Sequence, residues 1–135
     1  MPPYSGADIN ITISAPAGTA KCGLAVIGYQ KPLGVTNNGT SVGILDYSRK
    51  DLDTFGRPII IQRNFSKRAD YDVTVPTGLI DFVQNTLSDL RTTPVVWVGE
   101  ASFGATIIYG YYRDFSIIYQ NAVSSQSSIE VEGLT

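Results

Sequence analysis

Apolar and polar residues alternate one by one over several short stretches of this chain. The alternation is clearest at residues 9–14, 70–75 and 129–134. A period of two is typical of a half-buried β-strand, because successive side chains point to opposite faces of a sheet. Short apolar runs predict further strands at 22–29, 59–61, 95–98, 106–112 and 115–119. The chain is therefore expected to be mainly β.

One segment has a helical period instead. The apolar residues spaced three or four apart are Leu79, Phe82, Val83, Leu87 and Leu90. This spacing predicts a helix over about residues 77–91 that buries those five side chains. Thr77 is the expected N-cap, and Pro94 stops the helix.

Turn signals separate these segments. Asn38-Gly39, between Val35 and Val42, predicts a β-hairpin with a type I′ turn. Residues 46–57 are polar and predict an irregular loop, and residues 1–8 predict a flexible N-terminal arm. The expected architecture is an antiparallel β-sandwich or barrel with one flanking helix, built as one domain over residues 1–135.

Composition points to a protein that works through contacts. Only 16% of the 135 residues are charged, the net charge is −2, and eight residues are tyrosine. Protein interfaces are depleted in charge and enriched in tyrosine. The charge is too acidic and too sparse for broad binding to a nucleic-acid backbone.

Cys22 is the one cysteine, so no internal disulfide is expected, and we predict a buried structural thiol. The start of the chain lacks a secretory signal pattern, and no apolar run approaches the ~20 residues that span a bilayer. These features predict a protein that is made in the cytoplasm, inserts in no membrane and leaves only inside a larger particle.

Candidate catalytic and metal motifs are weak. The chain has no histidine, so the GTSVG motif at residues 39–43 lacks the partner that a nucleophilic serine at Ser41 requires. Asp51 and Asp53 open a stretch like a calcium loop, but Gln62 stands where the bidentate glutamate belongs. Glu130 and Glu132 lie two apart on one strand, which favours a polar outer face over an acid pair. We therefore expect no enzymatic activity, no cofactor and no bound metal.

Two other groups of residues have more than one interpretation. Arg63, Lys67 and Arg68 form the basic cluster, which fits the polar rim of a subunit interface or plain solvated strand positions. The aromatic residues of the second half could form a platform for sugar binding, although packing within the sheet is the favoured interpretation. These aromatic residues are Trp97, Tyr109, Tyr111, Tyr112 and Tyr119.

Four segments carry a resemblance to a known class of proteins: GRPIIIQRNFSKRADYDV (56–73), PVVWVG (94–99), YGYYRDFSI (109–117) and IEVEGLT (129–135). They resemble tail proteins of tailed bacteriophages and prophages. The resemblance covers about the last 80 residues and implies a tail-tip or baseplate component, similar to distal tail proteins and tail-tube subunits. Those families share a β-sandwich or barrel with a flanking helix and assemble into rings.

The sequence thus predicts a structural subunit of a phage tail, located in the virion after assembly in the bacterial cytoplasm. Its partners would be other tail proteins and copies of itself in a ring. The alternative is a carbohydrate- or receptor-binding module that contacts a host glycan. The expected interface residues are Pro2, Pro3, Tyr4, Arg49, Lys50, Asp51, Asp53, Arg63, Lys67 and Arg68.

Overall fold

The computed structural model describes residue 6 and residues 8–134. Their contacts form two units, divided between Pro32 and Leu33. The predicted N-terminal arm falls almost wholly outside the described residues, and so do the predicted interface residues Pro2, Pro3 and Tyr4.

Residues 8–32 form no strand and no helix, and every side chain among them is exposed. The strands predicted at 9–14 and 22–29 are therefore wrong. The prediction of a buried thiol is also wrong, because Cys22 is exposed. The alternating pattern supplies two different faces, but a strand also needs a neighbouring edge that accepts its backbone hydrogen bonds.

The second unit is mainly β, with 43% of the chain in strands and 12% in helix. Its main sheet is antiparallel and curls into a half-barrel, and a single α-helix accompanies it, as the sequence predicted. The strands are β1 (Val35–Thr36), β2 (Ser41–Asp46), β3 (Arg49–Leu52), β4 (Pro58–Ile61), β5 (Phe65–Pro76), β6 (Val95–Val98), β7 (Ile107–Tyr119) and β8 (Ser124–Gly133). Helix α1 spans Ile80–Asp89 and follows a 3-10 turn at Thr77–Leu79.

The main sheet has the order β1-β5-β8-β7-β6, and β2 pairs with β5 beside β1. Since β1 pairs with residues 73–74 of β5 and β2 with residues 65–70, the two strands share one edge. Asn37 and Thr40 close a turn between them, in which the Thr40 N–H donates to the Asn37 carbonyl. The predicted Asn38-Gly39 hairpin is therefore wrong: β1 and β2 do not pair with each other, and neither turn residue has the positive φ of a type I′ turn.

One face of the main sheet packs against α1 and forms the core. Its buried apolar residues are Ala69, Tyr71, Val73, Val75, Val83, Leu87, Trp97, Ile108, Ile129 and Val131. The Tyr112 hydroxyl donates to the Leu87 carbonyl at 2.6 Å, which fastens the helix to β7. Trp97 meets Tyr112 edge to face, with ring centroids 6.0 Å apart.

The helix is shorter than predicted. Val83 and Leu87 are buried as expected and Leu90 is half-buried, but Leu79 and Phe82 are 47% and 43% exposed. Thr77 is not the N-cap: it lies in the 3-10 turn, and its hydroxyl donates to the Asn121 carbonyl at 2.7 Å. Helix α1 starts one turn later, so the buried stripe runs through residues 83, 86, 87 and 90.

Two predicted strands merge into β7. Residues 107–112 and 115–119 belong to one strand, while Thr106 ends a 3-10 turn at Gly104–Thr106. The register of β7 against β8 shifts between Tyr112 and Asp114. Arg113 is the extra residue of this bulge, which adds local twist to the strand. The apparent break in the sequence pattern marks the bulge and not the end of a strand.

Candidate interaction surfaces

The predicted irregular loop at 46–57 is instead part of a β-hairpin. Strands β3 and β4 pair antiparallel, from Arg49 opposite Ile61 to Leu52 opposite Pro58. The Tyr47 N–H donates to the Asn64 carbonyl, directly beyond the last residue pair of β2 and β5. The pairing of β3 with β4 therefore continues the β2–β5 ladder after a short irregular link. We call residues 47–64 the isoleucine hairpin.

The tip of the isoleucine hairpin is closed by local polar contacts. The Asp53 carboxylate accepts from the N–H groups of Phe55 and Arg57, both at 2.8 Å. Gly56 has φ +76, a left-handed conformation that costs glycine little. The stretch after Asp51 that resembled a calcium loop thus closes a turn, and one carboxylate oxygen of Asp53 accepts both of these backbone hydrogen bonds.

The base of the isoleucine hairpin is also fixed. The Asp46 carboxylate accepts a hydrogen bond from the Ser48 N–H at 2.9 Å. The pKa of Asp46 lies below its usual value because Ser48 donates to the carboxylate. The larger effect comes from its side chain and the smaller one from its backbone. The Tyr47 hydroxyl donates to Glu132 Oε1 at 2.9 Å and lies 2.9 Å from the Ser66 hydroxyl.

The isoleucine hairpin exposes its large apolar side chains. Strands β3 and β4 form a two-stranded sheet separate from the main sheet. Phe55 at its tip is 87% exposed, Leu52 is 73% exposed and Ile60 is 66% exposed. Ile59 and Ile61, on the opposite face of β4, are exposed as well. Such a two-stranded ribbon is at best marginally stable in water by itself.

The face of the main sheet that points away from α1 is the second surface, which we call the outer face. Its charged members lie on three adjacent strands: Arg68, Asp70, Asp72, Arg113, Asp114, Glu130 and Glu132. Its apolar members lie on β6 and the start of β7: Val96, Val98, Ile107, Tyr109 and Tyr111. The outer face is therefore acidic over one half and apolar over the other.

Ion pairs tie part of the acidic half together. Glu130 Oε1 lies 3.4 Å from Arg68 Nε and 3.6 Å from Arg113 Nη1. Arg113 Nε also lies 3.6 Å from Glu132 Oε2, and Arg68 Nη2 lies 3.2 Å from Asp70 Oδ2. Two guanidinium groups thus serve three carboxylates. An open depression of about 170 Å³ lies beside them, between Asp70, Asp114 and Glu130.

The predicted interface residues separate into two groups. Arg49, Lys50 and Asp51 lie on β3, Asp53 lies at the hairpin tip, and Arg63 lies in the link to β5. Lys67 and Arg68 follow one another along β5 and therefore point to opposite faces, Arg68 to the outer face and Lys67 to the side of α1. The structure thus does not gather Arg63, Lys67 and Arg68 into one cluster.

The candidate catalytic residues do not form a site. Ser41 lies on β2, and its hydroxyl is 3.4 Å from Asp70 Oδ2, with no strand-to-helix turn at this position. Glu130 and Glu132 share the outer face, as predicted. Within residue 6 and residues 8–134, no three His, Cys, Asp or Glu residues are grouped so that they could hold a metal ion. None of the described helices is long and apolar enough to cross a membrane.

The aromatic residues are also divided. Trp97 is buried and Tyr112 half-buried in the core, while Tyr109 and Tyr111 lie on the outer face. Tyr119 is 65% exposed, near the far end of β7. Sequence reasoning missed the exposure of Ile59–Ile61. A signal was present: a strand points successive side chains to opposite faces, so three consecutive isoleucines place apolar side chains on both faces.

Searches against protein-family models and against curated proteins find no match to this chain.

Proposed function

We propose that this chain is a structural subunit of a larger assembly and that it works through contacts of the isoleucine hairpin. In keeping with the resemblance of its last 80 residues, that assembly is a bacteriophage tail. The supporting observation is the exposure of Leu52, Phe55 and Ile59–Ile61 on a two-stranded ribbon. A ribbon of this kind gains an ordered structure when a partner covers it.

Burial of the exposed apolar side chains of the isoleucine hairpin contributes enough free energy for association. Full burial of one leucine, isoleucine or phenylalanine side chain contributes about 1.5–3 kcal/mol. These five side chains are between 43% and 87% exposed, so burial of their exposed parts would contribute roughly 5–9 kcal/mol. This is comparable with the lower estimates of the cost of losing translational and rotational freedom. The free subunit should therefore associate weakly, and the assembled form should gain further contacts.

Hydrogen exchange on the free and assembled protein tests this proposal. We expect the amides of residues 47–64 to exchange fast in the free subunit and at least ten times more slowly in the assembly. Residues 1–8 are expected to gain protection as well. Equal exchange rates of residues 47–64 in the two states would contradict the proposal.

A substitution pair gives a second test. Ile60→Lys should abolish assembly, because it places a charge where the partner excludes water. Val123→Lys is the matched control, since Val123 is 80% exposed and lies between β7 and β8, outside the isoleucine hairpin. Assembly that survives Ile60→Lys would show that the hairpin is not the contact.

The phage context has its own test. Negative-stain electron microscopy of the assembled protein should show ring-shaped particles. Genes for tail proteins cluster, so the genes on either side are expected to encode tail components. Binding of the isolated protein to a glycan array, together with the absence of rings, would favour the carbohydrate-binding alternative.

A further inference from the structure

The isoleucine hairpin and the outer face carry opposite charge. The hairpin holds four basic residues, Arg49, Lys50, Arg57 and Arg63, against two acidic ones, which leaves a net charge of +2. The outer face holds five carboxylates and the two arginines Arg68 and Arg113, which leaves a net charge of −3. The two surfaces thus differ by five charges, although the chain as a whole has a net charge of only −2.

The unpaired charges follow the same division. Among the described residues, Lys50, Arg57 and Arg63 of the hairpin have no carboxylate within ion-pair distance. Asp72 and Asp114 of the outer face likewise have no basic partner in the described part of the chain. The hairpin thus has spare cations, and the outer face has spare carboxylates.

The two surfaces also match in their apolar parts. The exposed isoleucines of β4 lie beside the hairpin cations, and Val96, Val98 and Tyr109 lie beside the acidic half of the outer face. The depression of about 170 Å³ is bordered by Asp70, Asp114 and Glu130, and also by Arg68, which is paired with Asp70 and Glu130. Asp114 has no basic partner among the described residues, so its carboxylate can accept an ammonium or guanidinium group from a partner. Each surface therefore offers an apolar area next to a charged one, with opposite signs.

We infer that the isoleucine hairpin of one copy docks on the outer face of a second copy. The inference rests on the proposed function and names its partner. Because the two surfaces differ, the contact is heterologous, and repeating it gives a closed ring or an open filament. Opposite potentials set the orientation of the contact, while burial of the isoleucines supplies most of its free energy.

Charge reversal of both surfaces tests this inference. Lys50→Glu with Arg57→Glu changes the hairpin charge from +2 to −2, and Asp72→Lys with Asp114→Lys changes the outer-face charge from −3 to +1. Self-association is measured on the full chain by sedimentation velocity over a range of concentrations at low salt. Each double variant alone should weaken association at least about tenfold, because like charges then face each other.

Mixing the two double variants is the decisive experiment. In the mixture an acidic hairpin meets a basic outer face and a basic hairpin meets an acidic outer face, so association should return to within about threefold of the wild type. Controls with the same changes in net charge are Lys21→Glu with Arg91→Glu and Asp81→Lys with Asp89→Lys, none of which belongs to the isoleucine hairpin or the outer face. The controls should associate like the wild type.

Thermal unfolding confirms that each variant is folded. Asp72→Lys could disturb the fold, because Asp72 accepts from Gln126 at 2.8 Å. In that event Asp114→Lys with Ser116→Lys and Ser128→Lys takes its place on the same face and gives the same outer-face charge of +1. Failure of the mixture to associate would overturn the inference. The inference would also be overturned if each double variant alone associated as strongly as the wild type. If Ile60→Lys still abolishes assembly in either case, the proposed function stands and another surface receives the hairpin.

Discussion

Replacing Leu87 with alanine measures how firmly α1 is held on the sheet. Leu87 is fully buried and belongs to the same hydrophobic core as Val83 of the helix and Val75 and Trp97 of the sheet. The substitution removes three carbon atoms, which at about 0.8 kcal/mol each corresponds to ~2.4 kcal/mol of transfer free energy. The cavity left behind adds to this, so we expect a loss of about 2–5 kcal/mol in the free energy of unfolding.

Urea unfolding followed by tryptophan fluorescence is the appropriate assay, because Trp97 is the one tryptophan and lies in the same core. Leu79→Ala is the matched control: it is the same chemical change within the predicted apolar stripe, at a side chain that is 47% exposed. The control should cost less than about 1 kcal/mol. A cost for Leu87→Ala under about half a kcal/mol, or equal costs at the two positions, would refute this account of the helix.

Three further predictions concern the second unit. Gly110→Ala should lower the free energy of unfolding in urea by about 3 kcal/mol or more, because the new Cβ would lie 2.0 Å from the Glu132 carbonyl oxygen on β8. Gly43→Ala is the control and should be tolerated, since its Cβ would have nothing within 4 Å. Thr92→Gly should raise the free energy of unfolding by up to about 1 kcal/mol, since Thr92 has φ +58; a loss of stability would contradict this. Burial raises the pKa of Tyr71 to about 12 from an ordinary 10, which favours the protonated form in the folded state. That contribution, up to roughly 3 kcal/mol, is complete below pH 10 and is lost as the pH rises to 12, so Tyr71→Phe should flatten the fall of the melting temperature across this range.

Much of the second unit could be predicted from local pattern. Tyr71, Val73 and Val75 are buried and alternate with Asp70, Asp72 and Thr74, as a period of two requires. Strand β6 also lies where its pattern places it, and helix α1 lies within the predicted segment 77–91, although it is shorter. In these segments each residue meets a partner strand or the helix, so the local preference and the tertiary contacts agree.

The same reasoning failed where the residue pattern did not indicate whether a strand finds a partner. Residues 9–14 alternate as regularly as residues 70–75, yet they form no strand, because an alternating pattern does not specify which edge pairs with it. Three of the four residues 49–52 are charged, yet they form β3, because Pro58–Ile61 supplies the opposite strand and Asp53 and Gly56 close the turn. Strand formation depends on that pairing more than on the intrinsic preference of a residue.

The sequence by itself determined the mainly β composition, the single helix, the lack of histidine and the low content of charged residues. Only the tertiary structure decided that Lys67 and Arg68 face opposite sides, and that Asp70, Asp114 and Glu130 from three strands border one depression. The physical reason is that strand pairing joins residues far apart in sequence: Asp70 lies opposite Glu130, sixty positions away. A pattern read along the chain gives each strand two faces, while the register of its neighbours decides which charges share a face.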